Sequence, residues 1–310
     1  MKTIIQLAKF ALLLSVAMFI ISCSNNDDDQ YAKKIPTSIE WVGSSNVPYN
    51  VAKSASFDYD DNNRLVQYSE AWYDETAKLN EERYTITYVP SNCELKHYLN
   101  NELQSVHTFE YESDYLISFK SDYKKGAQTG EFDGILALSN EKKVTSLRNS
   151  ANNTMINYRY DYAENVIKYD ETFSVSKPLY RGKYTYDLKT GMLTSTNTPQ
   201  WLLVFMRENF ENELFIVNNV LTKVCREYVW AEMPGVGVYM DHVTEKDYVY
   251  SYNYDDAGFP TSFSYKQTGE YIIENYDELD NEGNSKEVRT PSDEDYDKTI
   301  CEYEITYKNM

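Results

Sequence analysis

The sequence predicts an all-β fold, a long antiparallel meander of repeated tyrosine-rich hairpins, curled or barrel-like, with one short helix near residues 199–210. Tyrosine accounts for 30 of the 310 residues, and many tyrosines alternate with polar residues, which places them on one face of a strand. The same hairpin pattern also recurs along the chain. Because no long helical pattern separates the strands, a parallel α/β fold is excluded.

Each repeat has an alternating aromatic strand, a polar turn and an apolar residue that opens the next strand. The clearest copies span residues 57–65, 158–166, 184–193 and 250–259. Tyrosine and threonine suit a pleated, half-buried surface, and Asp, Asn and Gly supply the turns. A period of about 25 residues with two strands each predicts roughly sixteen to twenty antiparallel strands.

Residues 198–210 interrupt this pattern. Thr198 and Pro199 are typical of a capped helix start, and an apolar run follows from Trp201 to Met206. We expect a short helix that crosses or plugs the sheet. A buried strand is the alternative.

The first 22 residues predict a lipoprotein signal peptide. Lys2 and Lys9 precede an apolar run over residues 10–21, and the Ser22-Cys23 pair resembles a bacterial lipoprotein cleavage box. The resemblance implies cleavage before Cys23 and a diacylglycerol anchor on its thiol, which would hold the chain on the outer membrane. A secretory signal with an incidental cysteine is the alternative, and the apolar run is too short to span a membrane.

Residues 23–33 predict an acidic flexible tether, and residues 34–310 a single hairpin-repeat domain. The Ser-Asn-Asn-Asp-Asp-Asp run after Cys23 resembles the export signal of Bacteroidota surface lipoproteins, which implies exposure at the cell surface. A solvated tether without an export role is the alternative. The mature chain would keep Cys93, Cys225 and Cys301, which permit at most one disulfide of undetermined pairing.

The Tyr-x-Tyr-Asp turns resemble the YD repeats of Rhs-type shells. They resemble more closely a Bacteroidota lipoprotein family, domain of unknown function 4595, which is described as porin-like in fold. The cleavage box, the strand over residues 219–224 and the hairpin over residues 252–261 carry this resemblance, which covers residues 140–270 best. The family has no known catalytic residues, so the resemblance implies none.

The repeated strand face argues against a membrane-spanning barrel. It carries tyrosine where a lipid-facing band would carry leucine or valine, the strands are expected to be short, and a lipid anchor would be redundant in a membrane barrel. We therefore expect a soluble barrel or curled sheet with its tyrosine face inward or stacked across strands.

Few residues point to catalysis or to metal binding. His97, His107 and His242 have no ligand spacing, so no metal or cofactor is predicted, and we expect no enzyme. An EF-hand alignment of the acidic stretch 277–284 places Arg289 at the bidentate glutamate position, which favours a solvated hairpin loop. A net charge of −19 disfavours nucleic acid as a partner.

Tryptophans offer the one candidate ligand surface. Trp41, Trp72 and Trp230 could stack on sugar rings, with core packing as the alternative, whereas Trp201 belongs to the apolar run. We expect a non-enzymatic surface lipoprotein that binds a glycan or a host macromolecule. A structural or assembly lipoprotein that docks an envelope protein through its acidic surface is the alternative, and a hydrolase is third.

Overall fold

The computed structural model describes residues 33–45, 52–74, 77–125, 128–151, 153–161, 165–173, 177–210, 218–234, 237–279, 285–291 and 300–310. These residues form seventeen strands and one helix. The strands are β1 (Lys34–Ser45), β2 (Ala52–Tyr59), β3 (Leu65–Asp74), β4 (Ala77–Val89), β5 (Asn92–Leu99), β6 (Glu102–Ser113), β7 (Leu116–Lys125), β8 (Gln128–Leu138), β9 (Val144–Asn149), β10 (Thr154–Tyr160), β11 (Val166–Phe173), β12 (Lys177–Tyr186), β13 (Val220–Met233), β14 (Gly237–Tyr254), β15 (Pro260–Leu279), β16 (Ser285–Pro291) and β17 (Ile300–Asn309). The helix, α1, spans Gln200–Phe210.

The strands close into a sixteen-stranded antiparallel barrel. Each strand from β1 to β15 pairs with the next one in sequence, and β17 pairs with both β15 and β1. The register between the closing strands places Trp41 opposite Tyr303. Strand β16 pairs with the far part of β15 and lies outside the ring. The predicted all-β meander of hairpins is confirmed, and it closes into a barrel.

The repeated turns all lie at one end of the barrel, which we call the base. The five-residue turns that begin at Asp60, Ser139, Asp161 and Asp255 share one hydrogen-bond pattern. In each turn the first residue's N–H donates to the carbonyl oxygen of the fifth residue, at 2.8–3.0 Å. The fifth residue's N–H donates back to the first residue's side chain, at 2.9 Å for the three aspartates and 3.4 Å for Ser139. The aspartate of the repeat is therefore the acceptor that shapes the turn.

In the turns that begin at Asp60, Ser139 and Asp255, the fourth position has left-handed backbone. Gly258 has a φ of 81° there, and Asn63 has a φ of 57°, as the turn composition predicts. Lys142 occupies the equivalent position with a φ of 63°. A hairpin that lacks the turn glycine thus keeps the same geometry and accepts local strain at a lysine.

Strands β13, β14 and β15 are longer than the sequence led us to expect. They contain 14, 18 and 20 residues, and β1, β4 and β6 contain 12 or 13, so the prediction of short strands is wrong. In β14 the aromatic alternation covers Tyr248 to Tyr254, and no glycine or proline interrupts the chain between Val238 and Tyr254. Nothing therefore ends the strand early.

Helix α1 lies inside the barrel and fills half of its lumen. All residues from Trp201 to Arg207 are buried. The Phe205 ring meets the Phe109 ring edge-on, with centroids 4.7 Å apart, and Trp201 lies 5.0 Å from the same phenylalanine. The predicted plugging helix is confirmed, because a helix that is apolar on all sides must be enclosed.

The segment between β12 and α1 closes the base. The Thr198 hydroxyl oxygen accepts a hydrogen bond of 2.8 Å from the N–H of Leu65, where β3 begins, and Asn197 N–H donates to the carbonyl oxygen of Asn63. Thr198 thus ties the segment to the barrel wall. The first helical N–H groups, of Leu202 and Leu203, donate to the carbonyl oxygen of Pro199.

The inward and outward faces of the wall differ in character. Inward positions carry the apolar core, including Leu95, Phe109, Phe119 and Leu136. Outward positions on the same strands are polar, and Lys120 and Glu131 form an exposed ion pair of 2.9 Å. Placing a charge in contact with lipid costs up to about 4 kcal/mol, so this outer face is suited to water.

Within the described residues, no helix has the length and apolar character needed to cross a membrane.

Candidate functional site

The half of the lumen that α1 does not fill contains a cavity of about 710 Å³. Its wall is formed by α1 and by the inward faces of strands on the side where β11–β15, β17 and β1–β4 meet. Met192, Asn219 and Val220 close it at the base, each no more than 8% exposed. At the opposite end it reaches Tyr180, which is 39% exposed, and Glu227, which is also exposed. The cavity therefore has a sealed floor and an open mouth.

Five aromatic rings form a ladder across β14, β15 and β17 on one wall of the cavity. The ladder runs through Tyr252, Phe263, Tyr303, Tyr265 and Tyr250, with neighbouring centroids 4.8–6.3 Å apart and planes within 28° of parallel. Stacked rings cover each other's faces. The ladder therefore presents ring edges and phenolic hydroxyls to the cavity.

Two glutamates lie directly opposite each other on β3 and β4. Glu70 and Glu82 are register partners that both line the cavity, and Glu70 is 7% exposed. The Tyr68 hydroxyl donates to Glu70 at 2.8 Å, and the Tyr84 hydroxyl donates to Glu82. His97 Nε2 lies 3.6 Å from Glu82 Oε2. Tyrosine donors thus stabilise two carboxylates in a largely dry wall.

Helix α1 contributes a buried ion pair to the cavity. The Arg207 guanidinium donates from Nε to Glu208 Oε1 at 2.9 Å, and both side chains line the cavity. The rings of Tyr158 and Tyr184 each lie 5.9 Å from the guanidinium carbon. Glu171, on β11, also faces the cavity, and burial together with the negative charge of Glu208 raises the pKa of the Glu171 carboxyl.

Strands β13 and β14 add two lysines to the wall. Lys223 lies over the Tyr248 ring at 5.5 Å, and Lys246 lies 3.8 Å from Glu270. Near the mouth, the Tyr180 hydroxyl donates to Glu227 at 3.0 Å. Counting lining residues, five glutamates face three cations, a formal excess of two negative charges. The cavity combines aromatic edges, hydrogen-bond acceptors and hydrogen-bond donors in one enclosed space.

The three candidate tryptophans occupy different places. Trp72 lines the cavity on β3. Trp41 is partly buried and packs against the core, and Trp230 donates from Nε1 to the carbonyl oxygen of Pro178 at 2.8 Å, outside the cavity lining. Trp201 is buried in α1, as expected for the apolar run. The structure thus brings one of the three stacking candidates to the site.

The histidines and cysteines are also distributed. His107 is buried between Ser105 and Ser121, at 2.9 and 2.6 Å, and His242 pairs with Asp241 on an exposed part of β14. Cys93 is buried, and Cys225 lines the cavity. Cys23, the acidic stretch 277–284 and the Cys301 side chain lie wholly or mainly outside the described residues, so their predictions stand as made. In the described ranges, no three acidic, histidine or cysteine side chains are placed to hold a metal ion.

Sequence reasoning missed the charged part of the site, namely Glu70, Glu82, Arg207 and Lys223. The signal was present in the strands, because Glu70 lies at the same alternating positions as Tyr68 and Trp72. A carboxylate on the tyrosine face marks a position that faces the lumen. Arg207 carried a similar signal as the one basic residue of the helix, directly after six apolar residues.

The solved structures that are similar to this chain include two porin-like proteins from Bacteroides. The protein from Bacteroides uniformis ATCC 8492 is 11% identical, with 89% of this chain and 98% of that chain covered and a TM-score of 0.47. The protein from Bacteroides vulgatus ATCC 8482 is 11% identical, with 90% and 100% covered and a TM-score of 0.28. No family model and no curated protein matches the chain, so membership of the lipoprotein family stays a prediction.

Proposed function

We propose that this protein binds a saccharide in the lumen of its barrel without changing it chemically, as a lipoprotein exposed on the outer membrane. The observation that carries the proposal is the cavity of about 710 Å³, whose wall joins aromatic side chains to carboxylates, lysines and an arginine. Its volume lies within the range of roughly 300–1,000 Å³ that is typical of small-molecule sites.

The chemistry of the wall suits a polyhydroxylated ligand. Each sugar hydroxyl both donates and accepts hydrogen bonds, and the cavity supplies acceptors at Glu70 and Glu82 and donors at Arg207 and Lys223. The hydroxyls of the aromatic ladder can do either. Trp72 adds an indole ring, against which the C–H face of a sugar packs well.

The carboxylates of the cavity favour binding over hydrolysis. Glu70, Glu82 and Glu227 each accept a tyrosine hydroxyl, and Glu208 pairs with Arg207. Each of these four carboxylates therefore already has a partner within the protein. Most glycoside hydrolases need one carboxylic acid that gives up its proton and a second carboxylate close by. Because burial and the charge of Glu208 raise the pKa of Glu171, prolonged incubation with a glycan is needed to distinguish binding from hydrolysis.

Anchoring at Cys23 would orient the mouth away from the membrane. Strand β1 begins at Lys34 at the base, the same end as the sealed floor of the cavity. A tether over residues 23–33 would extend up to about 36–40 Å from that end. The mouth near Tyr180 would then face the medium, where a surface binding protein meets its ligand.

The test is glycan binding by the mature acylated protein in detergent. We expect binding on a glycan array, confirmed by calorimetry, and at least a roughly tenfold weaker affinity for Trp72→Ala. The matched control is Trp230→Ala, which should bind as the wild type does because Trp230 lies outside the cavity lining.

Three outcomes would contradict the proposal. Absence of binding to any glycan, combined with co-purification of an envelope protein, would favour the docking function. Equal losses of glycan affinity for Trp72→Ala and Trp230→Ala would show that the cavity is not the binding site. Shortened glycans after long incubation would show hydrolysis.

The location has its own test. Cys23→Ser should abolish acylation and release the protein from membranes. Protease added to intact cells should digest the wild-type protein. Retention of the variant in membranes, or protection of the wild type from protease, would contradict the anchored surface location.

A further inference from the structure

We infer that the inner part of the cavity beside α1, formed by Arg207, Glu208 and Glu171, is a subsite for two adjacent uncharged hydroxyls of the ligand, and that it selects neutral sugars over uronates. This inference rests on the proposed function. It adds the class of sugar and the residues that select it.

Arg207 has hydrogen-bonding capacity that its protein contacts do not use. It is 5% exposed, and its Nε and Nη2 both donate to the same oxygen of Glu208, Oε1. These bonds use one edge of the guanidinium. Within the described residues, no hydrogen bond takes the Nη1 hydrogens, so a buried, rigidly held donor pair remains at the cavity wall.

The setting of Arg207 fixes where those donors lie. The rings of Tyr158 and Tyr184, each 5.9 Å from the guanidinium carbon, limit its movement. The Tyr158 hydroxyl is itself buried without a hydrogen-bond partner in the described part of the chain. A buried polar group without a partner costs roughly 1–3 kcal/mol, which a ligand or a water molecule can recover.

Acceptors lie on the same side of the cavity. Glu208 Oε2 takes no hydrogen bond from a described residue, and the Glu171 carboxyl is close enough for the Glu208 charge to affect its titration. A donor pair next to two carboxyl groups matches two neighbouring hydroxyls, each of which gives one hydrogen and takes another.

The charges of the subsite disfavour an anionic sugar. A ligand carboxylate would lie beside Glu208 and Glu171 in a cavity that already carries two excess negative charges. An uncharged hydroxyl pair does not meet this repulsion. A ligand ammonium would be attracted by the same excess, so the subsite does not select against amino sugars.

The experiment compares matched sugars on the mature acylated protein in detergent. The probes are tetrasaccharides of glucose and of mannose, each in a neutral, a uronate and a 2-amino form, and the measurement is calorimetry. We expect the wild type to bind a neutral form at least roughly tenfold more tightly than its uronate, whereas the amino form should bind at least as tightly as the neutral form.

The diagnostic variant is Glu171→Gln, which keeps the side-chain shape and removes the negative charge. It should weaken binding of the neutral sugar by roughly fivefold and strengthen binding of its uronate, so the two affinities move in opposite directions and their ratio falls. Glu131→Gln, on the outer face of the wall, is the matched control and should leave the ratio unchanged. If circular dichroism shows that Arg207→Lys is folded, this variant should lose binding of the neutral sugar. If the variant does not fold, the test depends on Glu171→Gln.

The outcomes separate this inference from the proposed function. If no tetrasaccharide binds, both fail. If sugars bind but a uronate binds as tightly as the neutral form, only the subsite fails. An equal change in all three affinities by Glu171→Gln, matched by Glu131→Gln, would also overturn the subsite.

Discussion

The hydroxyl of Tyr186 donates a hydrogen bond of 2.8 Å to the carbonyl oxygen of Val166, the first residue of the neighbouring strand β11. The same bond joins Tyr88 to Leu65, Tyr160 to Val144 and Tyr307 to Pro260, at 2.7–2.9 Å. Every acceptor opens a strand directly after a base turn, where the register shifts by a bulge. In each case a tyrosine at the end of one strand donates to a carbonyl oxygen at the start of the neighbouring strand. That carbonyl lies next to the β-bulge of the neighbouring hairpin.

Tyr186→Phe should destabilise the barrel by about 1 kcal/mol, because it removes the donor and leaves the Val166 carbonyl oxygen half-satisfied. The measurement is the midpoint of urea unfolding followed by tyrosine fluorescence. Tyr115→Phe, at a ring that is 53% exposed, is the matched control and should change little. Equal shifts for the two variants would mean that the hydrogen bond contributes nothing.

Gly134→Ala should destabilise the protein by roughly 2 kcal/mol or more. A Cβ at this position would lie 2.2 Å from the Phe119 ring and 2.3 Å from the carbonyl oxygen of Arg148, and the backbone atom cannot move aside cheaply. Gly130→Ala, on the same strand face, would meet only the Tyr123 ring, which is 39% exposed. A thermal melt should show the larger loss for Gly134→Ala, and the reverse order would refute this account.

Phe205→Ala should cost roughly 3–5 kcal/mol, because the ring is fully buried and contacts Phe109, Phe119 and His107. The barrel wall cannot collapse into the space that the ring leaves. Leu188→Ala, at a side chain that is 89% exposed, is the control and should cost almost nothing. Guanidinium unfolding measures both, and a Phe205→Ala loss below 1 kcal/mol would show that α1 packs loosely.

His107 should make the barrel sensitive to acid. Burial, with a smaller contribution from His97, lowers the pKa of His107 to about 4. In the unfolded chain, His107 is protonated as the pH falls below about 6.5. In the folded barrel, the His107 side chain stays neutral until about pH 4. The stability from this group is therefore complete above pH 6.5, falls by roughly 3 kcal/mol as the pH drops to about 4, and is constant below.

His107→Gln should remove this part of the pH dependence, measured as urea midpoints between pH 7 and pH 4. His242→Gln, in an exposed pair with Asp241, should retain it. Parallel pH curves for the wild type and His107→Gln would exclude His107 as the cause.

Cys93 should be inert in the folded protein. Burial raises the pKa of its thiol to about 12, so at pH 8 the thiolate fraction is on the order of 10⁻⁴. Iodoacetamide at pH 8, followed by mass spectrometry, should leave the Cys93 peptide unmodified. The same treatment in guanidinium should modify it fully, and rapid modification of the native protein would contradict the burial.

The repeat units were sufficient to predict the hairpins. The aspartates at positions 60, 161 and 255 shape turns, and the residues from Tyr248 to Tyr252 alternate inward, because both features depend on contacts within about ten residues. The sequence did not decide between a curled sheet and a closed barrel. Closure depends on the pairing of β17 with β15 and β1, and no local pattern encodes that register.

The site was predicted only in part, for the same reason. Trp72 was named for its chemistry, which does not depend on its neighbours. The cavity arises because α1 packs against one side of the lumen and leaves the other side empty. The sequence does not predict the positions of Phe205 and Arg207 inside the barrel. Residue type alone did not distinguish Trp72 from Trp41 and Trp230. Trp41 packs on the core, and Trp230 donates a hydrogen bond to Pro178.

The pairing that closes the ring sets the order in which the barrel assembles. Most other pairings in the wall link consecutive strands through short hairpins, although β15 pairs with β17 and α1 separates β12 from β13. Lys34, by contrast, must meet Asn309, about 275 residues away. Until β1 meets β17, the sheet has two unpaired edges that can pair with neighbouring chains. Because this contact spans the longest stretch of sequence, we expect closure to be the slow step of folding and the open sheet to be the species most prone to aggregation.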